Sequence, residues 1–598
     1  MCGIAGVYRA DGRPIDRRTL SKVSESMVRR GPDGSGVWVS DGGDLGLAHR
    51  RLSILDMTDR GAQPMPTPDG RFHIVFNGEI YNYPELRRWC ESRGVRFRSD
   101  SDTEVLLHLY ALLGIAFLHR LRGMYAFAVW DTQEQQLVLA RDPLGIKPLY
   151  YAEIPNEFAF ASQVKALQHG GYGGDLSPAG IASFMIWGYV TDPHTTVRGI
   201  RALPAGHVLI IGRGRRPSIA PFCDALAVLR NGSSPKVPET ELRDMLVDSV
   251  SSHLLSDVPV GVFLSAGIDS SAICALAAQH SGDHKLHGIT LGFAEYAGTS
   301  DDEVPGSVSL AHRYGIEHHV VRYTRHTFAA ELERFTEAMD QPSVDGVNSY
   351  FVSKAAAEHG LKVALSGIGG DELFGSYPSF SQVPRIARTL RIVPRSAGRR
   401  LDQMFRQVLP ERFSPKLGGV FQYGGSVPGA YLLRRALFMP WELSAHLTPD
   451  IARQGLEELD LMGSLDSAIR GITNPHDQVF ALEAEIYMRN CLLRDADWAG
   501  MAHSVEIRTP LADLDLYRQV VGLRARNSGR PISKQDVCVA LATDLDAAIC
   551  QRPKTGFSVP TRQWLAHTVA RLADGRGLRP WARYLLESIA GQRAFLQT

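Results

Sequence analysis

Cysteine stands second in the chain, in the run Met1-Cys2-Gly3-Ile4-Ala5-Gly6. Small residues at positions two and three suit removal of the initiator methionine, after which one residue carries both a thiol and a free α-amine. An α-amine titrates at about 7.7–8.0, so near neutrality part of it is unprotonated and takes the thiol proton directly or through water. Cys2 is therefore a candidate self-contained nucleophile and base. Attack of such a thiolate on an amide makes a tetrahedral oxyanion, which needs donors placed where the charge develops.

Four further segments carry suitable chemistry: Arg29-Arg30-Gly31-Pro32-Asp33, Ala48-His49-Arg50-Arg51-Leu52-Ser53-Ile54, Asn77-Gly78-Glu79-Ile80-Tyr81-Asn82 and Ser101-Asp102-Thr103-Glu104. Taken singly, Asn77-Gly78 reads as a hairpin turn and Asp102 as a helix N-cap. In this order, behind the N-terminal run, they resemble the N-terminal-nucleophile glutaminase domain of the asparagine synthetase family. The resemblance implies that the Asn77 side-chain amide and the Gly78 N–H form the oxyanion hole, glycine letting the backbone approach the reacting carbon. It also implies that Arg51 forks onto the α-carboxylate of glutamine, that Asp102 holds its α-ammonium, and that Glu79 is a further ligand.

A second constellation begins at Val260-Gly261-Val262-Phe263-Leu264-Ser265-Ala266-Gly267-Ile268-Asp269-Ser270-Ser271, which reads as a strand, a small-residue turn and a helix start. Backbone N–H groups at such a helix start favour phosphate, but the Gly-Lys-Ser/Thr ending of a Walker A loop is missing. The segment is similar to the pyrophosphate-binding PP-loop of ATP pyrophosphatases, usually Ser-Gly-Gly-x-Asp-Ser, with Ala266 in place of the first glycine. A positive φ at Ala266 would carry strain. Leu365-Ser366-Gly367-Ile368-Gly369-Gly370-Asp371-Glu372 and Met501-Ala502-His503-Ser504-Val505-Glu506-Ile507-Arg508-Thr509-Pro510 resemble the synthetase domain of the same family.

The resemblance, which covers residues 1 to about 565, implies an ATP site of Leu264, Ser265, Gly267, Asp269, Ser270, Ser366 and Gly367. Asp269 and Asp371, otherwise readable as helix caps, would hold Mg²⁺ against the phosphates, since hard oxygen ligands suit that cation. Lys534 would neutralise the departing pyrophosphate, and Arg552-Pro553-Lys554-Thr555-Gly556-Phe557-Ser558-Val559-Pro560 would order a loop nearby. Arg141 to Tyr151 is given a structural role at the domain interface. The implied reaction turns a carboxylate into an acyl-adenylate and displaces AMP with ammonia that Cys2 chemistry frees from glutamine, carried along an internal passage.

Two positions depart from the family pattern. Ile368 stands where an acidic residue is usual, and Trp498 stands where a basic residue is common. An aliphatic side chain neither orders an adenylate by hydrogen bonding nor accepts an ammonium proton. Asp345 and Asn348, in the stretch Asp340 to Tyr350, are candidate acceptor ligands. The leading expectation is glutamine-dependent asparagine synthesis from aspartate. The alternatives are an amidotransferase of the same mechanism acting on another carboxylate, an ATP-dependent cyclase, and an inactive binding homologue.

These residues need two domains to position them, and 598 residues supply ample chain. Residues 1–210 alternate short strands such as Tyr125–Trp130 and Gln136–Ala140 with helical patterns at Glu85–Arg93 and Thr103–Leu113, a sheet-rich α+β or layered unit. The resemblance makes it an Ntn-hydrolase αββα sandwich. Residues 211–237 are rich in Gly, Arg, Pro and Ser and read as a linker. From 238 to 565, strands at Pro259–Leu264, His287–Phe293 and Lys362–Leu365 alternate with helices, predicting a parallel-sheet PP-loop α/β domain with helical additions and ligands at the strand carboxyl ends. Residues 566–598 are expected as a C-terminal tail.

The 65 basic residues almost match the 64 acidic ones, which gives no field for nucleic acid or an anionic membrane and leaves glutamine, ATP and a carboxylate acceptor as partners. A homodimer is compatible with this reading. Seven scattered cysteines show no CxxC or metal spacing, so a cytoplasmic protein folding without disulfides is expected. No apolar run of the roughly 18 residues that a membrane helix needs is expected either.

Overall fold

The computed structural model describes residues 2–214, 216–231, 241–282, 285–408, 410, 413–526, 531–552, 559–561, 563–564 and 576–590. The first half contains β1 (Gly3–Arg9), β2 (Gly34–Val39), β3 (Leu45–Arg51), β4 (Met65–Pro66), β5 (Phe72–Ile80), β6 (Gly123–Asp131), β7 (Gln136–Arg141), β8 (Tyr150–Ile154), β9 (Glu157–Ala161), β10 (Ile200–Ala202), β11 (His207–Gly212) and β12 (Ser218–Pro221). They form two antiparallel sheets, ordered β10-β8-β9-β1-β3-β2 and β12-β11-β7-β6-β5-β4.

Period-2 alternation explains the layering, because successive strand residues point to opposite faces. Ile4 and Tyr8 of β1 meet Ala126, Ala128 and Trp130 of β6 in the core between the sheets. Their neighbours turn outward. Ala5 and Val7 pack against Leu20 and Val23 of α1 (Arg17–Glu25), and Phe127 and Val129 pack against Val105, Leu106 and Leu109 of α2 (Asp102–Leu113). The unit is the expected αββα sandwich. One helical run among the described residues, Asp102–Arg120, is long and apolar enough by composition to cross a membrane, contrary to expectation; it is 56% buried within the protein. Pairing of β12 with β11 carries the sandwich into the stretch expected as linker.

Among the described residues the second half holds five strands, β13 (Val260–Phe263), β14 (His287–Phe293), β15 (Glu317–Tyr323), β16 (Val363–Leu365) and β17 (Glu506–Arg508). All pair in parallel, in the order β15-β14-β13-β16-β17. The predicted parallel sheet is thus present. β13 leads into α3 (Ile268–His280), α4 (Val347–Glu358) packs on the sheet, and β16 leads through a glycine-rich turn into α5 (Gly370–Leu373).

Beyond a largely helical stretch come α6 (Arg494–Met501), α7 (Lys534–Ala540), α8 (Ala547–Gln551) and α9 (Arg579–Ala590). Helix α9 lies in the expected tail, and its Trp581, Ala582, Leu585 and Leu586 are buried in the core of the second domain. A disulfide joins Cys538 of α7 to Cys550 of α8, which corrects the expectation of free thiols throughout. Spacing alone gave no sign of it, because the pair is brought together by the turn between two helices.

Candidate active site

Cys2 lies at the head of β1, buried, with its Sγ 4.0 Å from the Leu52 carbonyl. Burial pushes its thiol pKa upward, so a base must take the proton before it can attack. Its backbone N–H donates to Asn77 Oδ1 at 2.9 Å. The Asn77 Nδ2 is buried and has no hydrogen-bond partner among the described residues. An unpaired buried amide donor costs about 1–3 kcal/mol, and a developing oxyanion is the acceptor that would satisfy it.

Asn77 and Gly78 lie within β5 rather than in a hairpin turn. A Cβ on Gly78 would sit 2.1 Å from the Met124 carbonyl of β6. Glycine is therefore required by the neighbouring strand, a reason different from substrate approach.

Asp102 is the first residue of α2, which Ser101 caps, and it accepts the Ile80 N–H at 3.0 Å. Burial drives Asp102 up to about 7, only partly offset by that hydrogen bond. Glu79 is also driven upward, by burial and then by Glu506, with Arg508 opposing at 3.4 Å. The Arg51 guanidinium donates to Thr58 O at 2.7 Å and to the carbonyls of Leu55 and Asp56, fixing the loop beside Cys2. The three glutamine candidates thus lie on β3, β5 and α2.

The second site is a cavity of about 560 Å³ at the carboxyl ends of β13 and β16. Ser265, Gly267, Asp269 and Ser270 line it from the first turn, and Ser366, Gly367, Ile368 and Asp371 from the second. Leu264 lies behind them in the core. Ser265 and Ser270 hydroxyls are 2.7 Å apart, closing the loop on itself. Ala266 is not among the positive-φ residues, so the loop takes alanine without the strain that the sequence raised. A Cβ on Gly370 would lie 2.5 Å from the Asp269 carboxyl carbon, so the glycine-rich turn lets Asp269 and Asp371 converge.

Lys534, at the start of α7, bridges the two carboxylates, with Nζ 2.5 Å from Asp269 Oδ2 and 2.5 Å from Asp371 Oδ1. The lysine is pushed down by burial and, more strongly, up by the two aspartates, with a net rise. Two carboxylate oxygens aimed at one point fit a divalent cation as well as an ammonium.

Asp345 and Asn348 both line this cavity, together with Ile368. Asp345 accepts from the Tyr487 hydroxyl at 2.9 Å, and Asn348 Oδ1 accepts the Ser349 N–H. Trp498 is core, its indole Nε1 donating to Asp495 Oδ1 at 2.8 Å. Arg552 also lines the cavity and donates to the Asp302 carbonyl at 3.0 Å, whereas residues 553–558 of the expected loop lie outside the described residues.

Sequence reading missed several groups. Tyr487 projects from a π-helical stretch, Glu483–Leu493, a distortion often found at functional sites but without a simple sequence signal. Glu372 is raised to about 8 by burial and receives the Tyr377 hydroxyl at 2.8 Å. The Arg141–Tyr151 segment takes the interface role expected of it. Arg141 pairs with Asp192 at 2.8 Å, and Asp192 in turn holds Arg494 of α6 at 2.6 Å.

Two links join the sites. Arg30 donates through Nε to the Cys2 carbonyl and through both terminal nitrogens to Asp497 of α6, two residues beyond the cavity-lining Asp495. Arg508 reaches Glu79 with its side chain, while its backbone carbonyl accepts the Ser366 N–H at 2.8 Å.

Comparison with known proteins divides the chain in the same way. Residues 1–221 match the family described as "Glutamine amidotransferase domain", and residues 241–581 match "Asparagine synthase". A putative glutamine-hydrolysing asparagine synthetase of Mycobacterium bovis is 34% identical, over 94% of this chain and 86% of its own. Asparagine synthetase 1 of Bacillus subtilis is 31% identical over 94% and 88%. A protein of Gibberella zeae named amidase chry2 is 28% identical over 87% and 82%.

Proposed function

The chain belongs to the glutamine-hydrolysing asparagine synthetase family, and from that membership we propose that it makes asparagine from aspartate, glutamine and ATP, releasing glutamate, AMP and pyrophosphate. The class is an ATP-dependent amide ligase that draws its nitrogen from glutamine. A cytoplasmic reaction is part of this proposal.

In this proposal Cys2, freed of Met1, loses its thiol proton to its own α-amine and attacks the glutamine carboxamide carbon. The Asn77 Nδ2 and Gly78 N–H receive the oxyanion, Arg51 and Glu79 with Asp102 hold the two charged ends of glutamine, and ammonia leaves before water releases glutamate. At the second site Ser265, Gly267, Ser270, Ser366 and Gly367 take the phosphates at the start of α3, and Lys534 neutralises pyrophosphate as the acceptor carboxylate attacks the α-phosphorus. Asp269 and Asp371 would hold Mg²⁺, which would shield phosphate charge. Asp345 and Asn348 face the acceptor. Ammonia then adds to the acyl carbon and AMP departs.

The observation that carries this reading is the chain Cys2–Arg30–Asp497, which ties the nucleophile to the helix that bears Asp495 in the ATP cavity. Ile368 supports a second reading, in which the carboxylate is not aspartate, because an aliphatic group lines the acceptor side of the cavity. One experiment separates the two. Glutamate, AMP and amide are measured from glutamine, ATP and Mg²⁺ with and without aspartate, for wild type and Cys2→Ala. Aspartate-dependent AMP and asparagine, with Cys2→Ala active only on added ammonia, supports the first reading. Glutaminase activity without aspartate-dependent AMP supports the second.

A further inference from the structure

At the amino ends of β14 and β15, the opposite end of the sheet from the ATP cavity, three side chains converge that no step above uses. We propose that His287, Glu317 and His319 form a binding site for a transition-metal ion of the zinc class. The strand register places them together. His287 pairs directly with Glu317 across the ladder, and His319, two residues further along β15, shares the face of Glu317.

The geometry is that of a ligand set. Glu317 Oε1 lies 3.9 Å from His287 Nδ1 and 3.4 Å from His319 Nε2, and the three ligand atoms all lie within 4.8 Å of one another. The imidazoles are stacked, 11° from parallel with centroids 5.9 Å apart. Tetrahedral zinc with bonds of about 2.0–2.2 Å separates its ligand atoms by roughly 3.3–3.5 Å, so side-chain shifts of about 1 Å close the site.

A second observation points to a ligand. His287 Nδ1 is buried and makes no hydrogen bond among the described residues. His318 is not part of the set, since its Nε2 pairs with Thr290 Oγ1 at 2.8 Å. The His359 ring packs against His319, with centroids 4.2 Å apart, and backs that imidazole. Two imidazoles and one carboxylate favour zinc over magnesium or calcium, with water completing the shell.

Lys285 is the competitor, with Nζ 2.7 Å from Glu317 Oε2. Its side chain is 65% exposed, so releasing that pair costs little. A bound ion would pin the edge strand β15 to β14, which makes the site structural and independent of the reading of the active site.

The test is calorimetric titration of chelator-treated full-length protein with Zn²⁺, with the visible absorption of Co²⁺ as a second readout. Wild type is expected to bind one equivalent that His287→Ala/His319→Ala loses or binds about 10- to 100-fold more weakly. Zinc is expected to raise the melting temperature of wild type and not of the double variant. Any metal at Asp269 and Asp371 is common to both proteins and cancels. Lys285→Gln is expected to bind severalfold more tightly, a gain that misfolding cannot produce. Equal titration curves for wild type and double variant, or no shift for Lys285→Gln, would overturn the proposal.

Discussion

Arg30 and Asp497 form a bidentate ion pair across the boundary between the two domains, Nη1–Oδ2 at 2.7 Å and Nη2–Oδ1 at 3.1 Å. Their side chains are 2% and 3% exposed. Removing one partner of such a pair strands a buried charge, at a cost of about 3–5 kcal/mol. Because Arg30 also holds the Cys2 carbonyl, the damage is expected at both sites. Asp497→Leu should lower the melting temperature and let glutamate formation outrun AMP formation, whereas Arg30→Met/Asp497→Leu should recover stability without recovering coupling. A glutamate-to-AMP ratio unchanged in both variants would remove the pair from any coupling role.

Asn77 offers a donor with no other partner among the described residues. Asn77→Ala should lower kcat for glutamine hydrolysis by about 10²–10³. Amide formation from added ammonia should be retained, since the ATP cavity is untouched. A loss of the ammonia-dependent reaction as well would mean that the substitution acts through the fold.

The contrast between what the sequence disclosed and what it hid follows from distance along the chain. The alternation in β1 and β6 is local and predicts the sandwich faces, and the Ser265–Ser270 turn and Ser366–Asp371 turn are each contiguous. Arg30 and Asp497 are 467 residues apart, and nothing in the Arg29–Asp33 segment points to Asp497, which lies in no motif quoted above. Tyr487 depends on a π-helical register, and the Cys538–Cys550 bond on the angle between two short helices. Ala266 shows the reverse case, where a local rule forecast strain and the loop adopted a backbone that avoids it.

In the proposed function Asp102, as the partner of the glutamine α-ammonium, sets a pH limit on glutamine use. Burial raises it to about 7, above the unfolded value of about 3.9, so the folded chain retains a proton that the unfolded chain releases. Its contribution to stability is fully present below pH about 4 and is lost as pH rises to about 7. Catalysis runs the other way, because the carboxylate that meets an α-ammonium must be ionised. Below pH 7 kcat/KM for glutamine should fall more steeply than the Cys2 α-amine alone imposes, by up to about tenfold more per unit, and Asp102→Asn should be weak throughout and keep only the shallower α-amine limb. A wild-type profile flat from pH 5 to 8 would exclude Asp102 from this role.

The Cys538–Cys550 disulfide closes a short loop, its ends 12 positions apart in sequence, and ties α7, which begins at Lys534, to α8, which precedes Arg552. A loop of this size is worth about 2–3 kcal/mol through the unfolded state. Cys538→Ser/Cys550→Ser should lower the melting temperature and raise KM for ATP, because Lys534 and Arg552 both line the cavity. Glutamine hydrolysis should not change. The same shifts are expected for wild type under reductant, and their absence there would show that the thiols are already free.

Lys534 has the largest predicted effect. Its ammonium is the cation that the structure places between Asp269 and Asp371, and without it two partly buried carboxylates face each other at the mouth of the phosphate loop. In the proposed function Mg²⁺ held by Asp269 and Asp371 would supply that neutralisation, but the charge on the leaving pyrophosphate would lack its donor. Lys534→Ala should therefore lower aspartate-dependent AMP formation by about 10²-fold or more while the apparent affinity for Mg²⁺ rises. Lys534→Arg keeps the charge in a longer, planar group and should recover only part of the rate. If Lys534→Ala instead left kcat intact and raised only KM for ATP, the lysine would be holding the ground-state phosphates and the proposed role in pyrophosphate departure would fall.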